Sequence, residues 1–261
     1  MPEATRFTRH GRGWIERASY PVGALALAVG VWWGLTLAFE IPPFLLPPPE
    51  AVAARLLNDP ALYARNALFT LEKVVYGGSV GIVVGFALAL GVAYLPWFRR
   101  AIYPYLVTAR VLPKVAIAPV LLIYLGTGLI TAVVFVALIA FFPVVLSTAA
   151  GLSNAPAEHH DLLESVDAGW IRRVVYVDLP YALPDAFAGL KQAVTLSVVG
   201  AVIAEWIAAD NGLGFVILIA SENVRADVML AALAVLVVEG LALYGAVTLA
   251  QRAAGRWSAL E

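Results

Sequence analysis

Apolar residues run along this chain in long blocks, and polar residues gather between them. A helix needs about 20 mostly apolar residues to cross a hydrocarbon layer. Six blocks reach that length: Pro21–Phe39, Val74–Leu95, Ile102–Leu125, Ile130–Ala150, Phe187–Ala209 and Val228–Ala250. The second carries glycines at 77, 78, 81, 85 and 91, a spacing that suits close helix packing. The third is interrupted by Arg110, Pro113, Lys114 and Pro119. The fifth carries Lys191 and Glu205, and the sixth carries Glu239. The pattern predicts an all-α integral membrane protein with six transmembrane helices.

Two stretches between blocks are long. Residues 40–70 open with prolines at 42, 43, 47, 48 and 49, a stiff lead into a short amphipathic stretch at Ala51–Leu57. Residues 153–186 are the most charged part of the chain. There, Pro156 suits a first helical turn, Leu162, Leu163 and Val166 fall on one stripe, and Gly169 ends the helix. A second short helix is expected over Trp170–Val177, closed by Leu179-Pro180, with Pro184 beyond. Connections usually run about 4–6 residues, so a rigid helical loop of this length reads as a docking element for a partner.

Arginine placement sets the sidedness. Arg6, Arg9, Arg12, Arg17, Arg99, Arg100, Arg172, Arg173, Arg252 and Arg256 fall on one side of a six-span chain. Arg55, Arg65 and Arg225 fall on the other. The positive-inside rule puts the richer side, with both termini, in the cytoplasm. No small-residue cleavage site follows the first block, so it reads as an uncleaved anchor. The expected organisation is a cytoplasmic segment 1–20, a transmembrane region 21–250 with an external segment 40–70 and a cytoplasmic loop 153–186, and a cytoplasmic tail 251–261.

Composition narrows the chemistry. The 261 residues are 62% hydrophobic and 13% charged, against about 45–50% and about 25% in soluble domains. That excludes a soluble globular enzyme. A net charge of -1 gives no basic footprint for nucleic acid. Without cysteine, thiolate metal sites are excluded, and three histidines are too few for a histidine-rich one. No catalytic residue, metal ligand or bound cofactor is therefore expected.

The 153–186 loop resembles the coupling loop of binding-protein-dependent ABC importer permeases of the six-span, type I kind. Their signature is Glu-Ala-Ala, three residues, Gly, nine residues, Ile-x-Leu-Pro. Counted back from Leu179-Pro180, Asp161 takes the acidic position, Leu162 and Leu163 the alanines, Asp167 the glycine and Val177 the isoleucine; a two-residue offset would give the glycine position to Gly169. Pro113-Lys114 to Pro119, Tyr124-Leu-Gly126-Thr-Gly128, Ala140-Phe-Phe-Pro143, Ala188-Gly-Leu-Lys191, Ala204-Glu205 and Gly212-Leu-Gly214 are similar to the permeases for nitrate, sulfonates, taurine and pyrimidine precursors. Phe187–Glu205 looks closest to members assigned to pyrimidine or riboflavin-like vitamin precursors.

The resemblance implies a second copy of the permease, two cytoplasmic ATP-binding subunits that use ATP and Mg, an external substrate-binding protein and a small-molecule substrate, in a bacterial cytoplasmic membrane. It implies ATPase coupling through Asp161, Leu162, Leu163, Val166, Asp167, Gly169, Leu179, Pro180 and Pro184. The chain has no Gly-x-x-x-x-Gly-Lys-Ser/Thr loop, so ATP hydrolysis falls to a partner. The expected function is to form the path for a small polar or anionic organic solute. Nitrate, sulfonate or taurine import, and a vitamin-binding subunit without an external binding protein, are the alternatives. Charges within spans are pathway candidates by default. Arg110 and Lys114, four apart, would share one helical face and either line the path or snorkel to the headgroups. Glu205 is a third candidate, expected to meet external water or backbone amides, and Glu239 is expected to find a hydroxyl such as Thr36 or Tyr244.

Overall fold

A computed structural model describes residues 9–258, with side chains described over 19–255. Arg6, Arg9, Arg12, Arg17 and Arg256, used above for sidedness, have side chains outside the described residues. Every regular element among the described residues is helical. In order these are α1 (Arg9–Ala38), α2 (Pro49–Asn58), α3 (Pro60–Tyr94), α4 (Pro96–Ala109), a 3-10 turn (Lys114–Ile117), α5 (Ala118–Leu125) and α6 (Leu129–Leu152). There follow α7 (Ala157–Ser165), α8 (Trp170–Arg173), a π turn (Val174–Asp178), α9 (Leu179–Ala208), α10 (Leu213–Glu222) and α11 (Ala226–Ser258).

The chain folds as two compact units. The first takes the chain through Pro60 with Ala220–Ala231, and the second takes Ala61–Ile219 and the chain from Ala232. In the first, α2 forms where the amphipathic stretch predicts it, with prolines at its start and Val52 buried. Arg55 pairs with Asp227, which also takes Arg225 at 3.3 Å.

The second unit is built around α6, apolar all round and the most buried of the long helices, as a central helix should be. Alpha-helix α3 lies close against it because glycine recurs every fourth residue. A Cβ on Gly77 would stand 2.5 Å from Val136 Cβ, one on Gly81 2.8 Å from Ala140 Cβ, and one on Gly85 2.7 Å from Val144 Cβ. On another side, α9 approaches through Gly189, where a Cβ would stand 2.8 Å from the Pro143 carbonyl oxygen. The small residues act as packing positions, as their spacing predicts.

Among the described residues, five helices are long and apolar enough to cross a membrane: Ser19–Ala38, Pro60–Tyr94, Leu129–Leu152, Trp170–Ala208 and Ala226–Gly255. Helix α4 and the 3-10/α5 segment pass the same test only as a pair, bent by 97°, the shape of a broken span or of a re-entrant loop. Several boundaries differ from expectation. Within the segment 40–70, α3 already starts at Pro60, about four turns ahead of the apolar block at Val74. The third block is not one helix. Pro113 lacks an amide proton and disfavours a helical residue ahead of it, so the chain leaves helix after Ala109. Leu179-Pro180 does not close a helix either, since helical structure runs on from Trp170 to Ala208. The π turn just ahead of Pro180 widens the helix where the proline ring would meet the carbonyl of Tyr176.

Candidate functional site

Three clusters of polar side chains stand out in the second unit, two toward the start of α9 and one at its far end. The first is a pocket of about 470 Å³ at the break in the third block. Arg110, Lys114, Ser147, Asp185 and Gln192 line it with Phe142 and other apolar groups. Arg110 and Lys114 meet there, but not by sharing a helical face as expected. The break separates them, one ending α4 and the other opening the 3-10 turn. The Lys114 ammonium sits 4.8 Å from the centre of the Phe142 ring. Asp185 accepts a 2.8 Å hydrogen bond from Asn154 Nδ2. Two cations thus face one carboxylate that is already engaged.

The second cluster is the loop after α6. Helix α7 ends at Ser165 in a Schellman turn: Asp167 N–H donates to Glu164 O at 3.0 Å and Ala168 N–H to Leu163 O at 2.9 Å. Asp167 holds the left-handed position, with φ +51°. Gly169, expected to end this helix, has φ −61° and ψ 160° and caps the start of α8. The residue with the left-handed backbone in this loop is thus Asp167 and not Gly169. Aspartate tolerates this conformation better than most side chains, which is how the turn survives without glycine. Leu162 is 63% and Val166 65% exposed, beside exposed Trp170 and Ile171. Asp161, Leu179 and Pro184 are exposed, while Leu163 and Pro180 are half-buried.

The third cluster divides the expectation for Glu205, which meets a backbone amide but not external water. Its side chain is fully buried. Glu205 Oε1 accepts from Lys73 Nζ and from Thr70 Oγ1, both at 2.9 Å, and Oε2 accepts from Gly214 N–H at 2.7 Å. Lys73 also donates to the carbonyl oxygen and Oδ1 of Asn211, at 2.8 and 2.9 Å, so all three ammonium protons have partners. Thr70 Oγ1 accepts from Leu213 N–H and Asn66 Oδ1 from Gly212 N–H. Gly212 has φ +108°, and a Cβ there would fall 2.1 Å from Glu205 Oε1. Glu205 thus holds the chain after α9 against α3 and lines no open path in this conformation. Lys73 escaped the sequence reading, although Asn66, Thr70 and Lys73 make a polar stripe on an apolar helix.

Glu239 finds neither hydroxyl expected for it. Both of its oxygens are buried without a hydrogen-bond partner. Thr36 donates to the Trp33 carbonyl instead, and the Tyr244 ring lies 5.4 Å beneath Lys191 Nζ. Among the described residues, no group of three or more His, Asp or Glu could hold a metal ion.

These features define a multi-pass membrane protein with a helical bundle, a polar pocket at a broken helix and a rigid helical loop. Residues 81–256 match the family of binding-protein-dependent transport system inner membrane components, and the chain belongs to that family. It is 32% identical to the riboflavin transport system permease protein RibX of Chloroflexus aurantiacus, over 92% of this chain and 90% of RibX. It is 30% identical to the formylaminopyrimidine transport permease protein ThiX of Halalkalibacterium halodurans, over 72% of this chain and 76% of ThiX. Its fold matches a chain of the MetNI methionine ABC transporter in an inward-facing conformation, with a TM-score of 0.63 and 20% identity, covering 74% of this chain and 95% of that one. The protein is a non-catalytic permease subunit of an ABC importer with the type I permease fold.

Proposed function

We propose that two copies of this chain form the path of an ATP-driven importer for a small polar or anionic organic solute, with α7 carrying the motion of cytoplasmic ATPase subunits into the membrane helices. The loop's geometry carries this reading. A Schellman turn with Asp167 at its left-handed position fixes α7, and Leu162, Val166, Trp170 and Ile171 remain exposed around it. Exposed apolar side chains on a charged, rigid loop suit a groove on a partner protein. In this reading there are six spans, with the bent pair crossing once, and the termini and loop lie in the cytoplasm. An external binding protein delivers the solute, and ATP with Mg acts only in the partner subunits. Asp161, Leu163, Gly169, Leu179, Pro180 and Pro184 support the docking surface.

Arg110 and Lys114 line the path rather than snorkel, since both face the pocket, and their unbalanced charge suits a solute with an anionic group. The relatives' names point to a pyrimidine or riboflavin-like vitamin precursor. Nitrate, sulfonate or taurine import uses the same chemistry.

The test is Leu162→Asp in a tagged permease expressed with its ATPase subunits. An exposed loop residue leaves the permease folded, while a charge forced into an apolar groove costs more than about 2 kcal/mol of association. The ATPase subunits are expected to be lost on pull-down while the permease keeps its thermal stability. Normal copurification with unchanged ATP hydrolysis would remove the loop from the coupling role.

A further inference from the structure

Helix α7 also makes polar contacts that the docking role does not use. His159 and His160 are adjacent on it and reach two residues three apart on the helix that becomes a membrane span. His160 Nε2 lies 3.4 Å from Asp178 Oδ1, and His159 Nε2 lies 2.9 Å from Tyr181 Oη. Asp178 closes the π turn and is 3% exposed. Its other oxygen accepts a 2.9 Å hydrogen bond from Tyr94 Oη, at the last residue of α3. The Tyr94 ring meets Trp170, the first residue of α8, edge-on at 5.6 Å. One buried carboxylate therefore joins three elements: the loop helix α7, the base of α9 and the end of α3.

We propose that the Tyr94–Asp178–His160 cluster is the link that converts displacement of α7 into movement of α3 and α9, resting on the coupling role proposed above for the loop. Three observations support it. Asp178 owes its inward position to the π turn, whose extra residue per turn rotates the helix surface just ahead of Pro180. The contacts reach both long helices, through the 2.9 Å hydrogen bond from Tyr94 and the 3.4 Å contact of His160 with Asp178, so α7 is tied to the ends of α3 and α9. Among the described residues, His160 Nδ1 is buried without a hydrogen-bond partner, which leaves Asp178 as the polar tie of that imidazole. Docking and transmission are then divided around α7: Leu162 and Val166 meet the partner, and His160, about 160° around the helix from Leu162, holds the membrane helices. The three residues act as positioning groups and touch no solute.

The test uses the complete complex and a chain free of cysteine. A single spin label enters through Leu112→Cys, at the exposed break in the third block, before assembly with the ATPase subunits. Pulsed EPR then reads the label-to-label distance between the two permease copies, with and without trapping by MgATP and vanadate. Trapping shifts this distance in the unmutated complex. In His160→Leu the shift falls by half or more, while the ATPase subunits copurify in unmutated yield. His160→Gln restores the shift, because its amide can donate to Asp178. Tyr94→Phe removes the α3 arm and loses part of the shift without touching the loop. A full shift in both His160→Leu and Tyr94→Phe would overturn the link. Loss of the ATPase subunits from His160→Leu would also overturn it, by making His160 part of the docking face. If the unmutated complex shows no shift, the coupling role itself fails, an outcome distinct from failure of the link alone.

Discussion

The two ends of α9 handle buried charge in opposite ways. At its far end, Lys73 and Glu205 form a dry ion pair in which every ammonium proton has an acceptor and each carboxylate oxygen has a donor. At its start, about 40 Å away along the helix, Arg110 and Lys114 face an open pocket, and Asp178 depends on a tyrosine and a histidine. A saturated ion pair is costly to rearrange, because any movement exposes an unpaired charge to a medium of low dielectric. The Arg110–Lys114 pocket has no such closed set of partners, and its charges can rearrange at less cost. In the proposed coupling, the difference assigns the Glu205 end as the fixed point and the loop end as the part that shifts.

One substitution made at two lysines tests this contrast. Lys73→Met leaves Glu205 buried and unpaired, at a cost of about 3–5 kcal/mol. A sharp fall in the unfolding temperature of purified permease, or loss of folded protein, is the expected result. Lys114→Met removes only a cation–π contact worth about 0.5–1 kcal/mol and leaves the fold intact. Solute uptake by the complete importer should nonetheless fall, because the pocket loses half of its positive charge. Equal stability of the two variants would erase the contrast.

The smallest effect concerns the turn after α7. Asp167→Val places a β-branched side chain at φ +51°, a strain of about 1–2 kcal/mol, whereas Asp167→Gly fits the same backbone without strain. Limited proteolysis should cut the loop of the valine variant faster than the unmutated one, with the glycine variant at least as resistant. Faster cutting of the glycine variant would mean that the left-handed conformation does not hold the turn.

Much of the fold was legible because crossing a membrane requires blocks of apolar residues that no loop supplies. The blocks at Ile130–Ala150 and Val228–Ala250 lie within two to five residues of the helical spans at each end. What escaped depends on backbone geometry and distant partners. The 97° bend lies inside an apolar block, so hydropathy passed over it, although Pro113 carried the signal. Lys73 finds Glu205 across 132 residues, a pairing that no local pattern encodes. Glycine alone was read as the turn former, so the helix end was placed at Gly169, while the chain turns at Asp167 with a hydrogen-bond pattern set by backbone rather than side chain. The apolar stripe at Leu162 and Val166 was legible and is exposed, but the contacts of His159 and His160 were not, since their partners Tyr181 and Asp178 lie about 20 residues further along the chain.

Hydrogen–deuterium exchange on the assembled importer, with and without trapping by MgATP and vanadate, separates the fixed end from the moving end in a single experiment. Altered protection is expected in α7, in the π turn and around Arg110–Lys114, with residues 205–214 unchanged in both states. Changes concentrated at 205–214, with α7 silent, would contradict the assignment of the loop end as the place where ATP-driven motion enters the membrane.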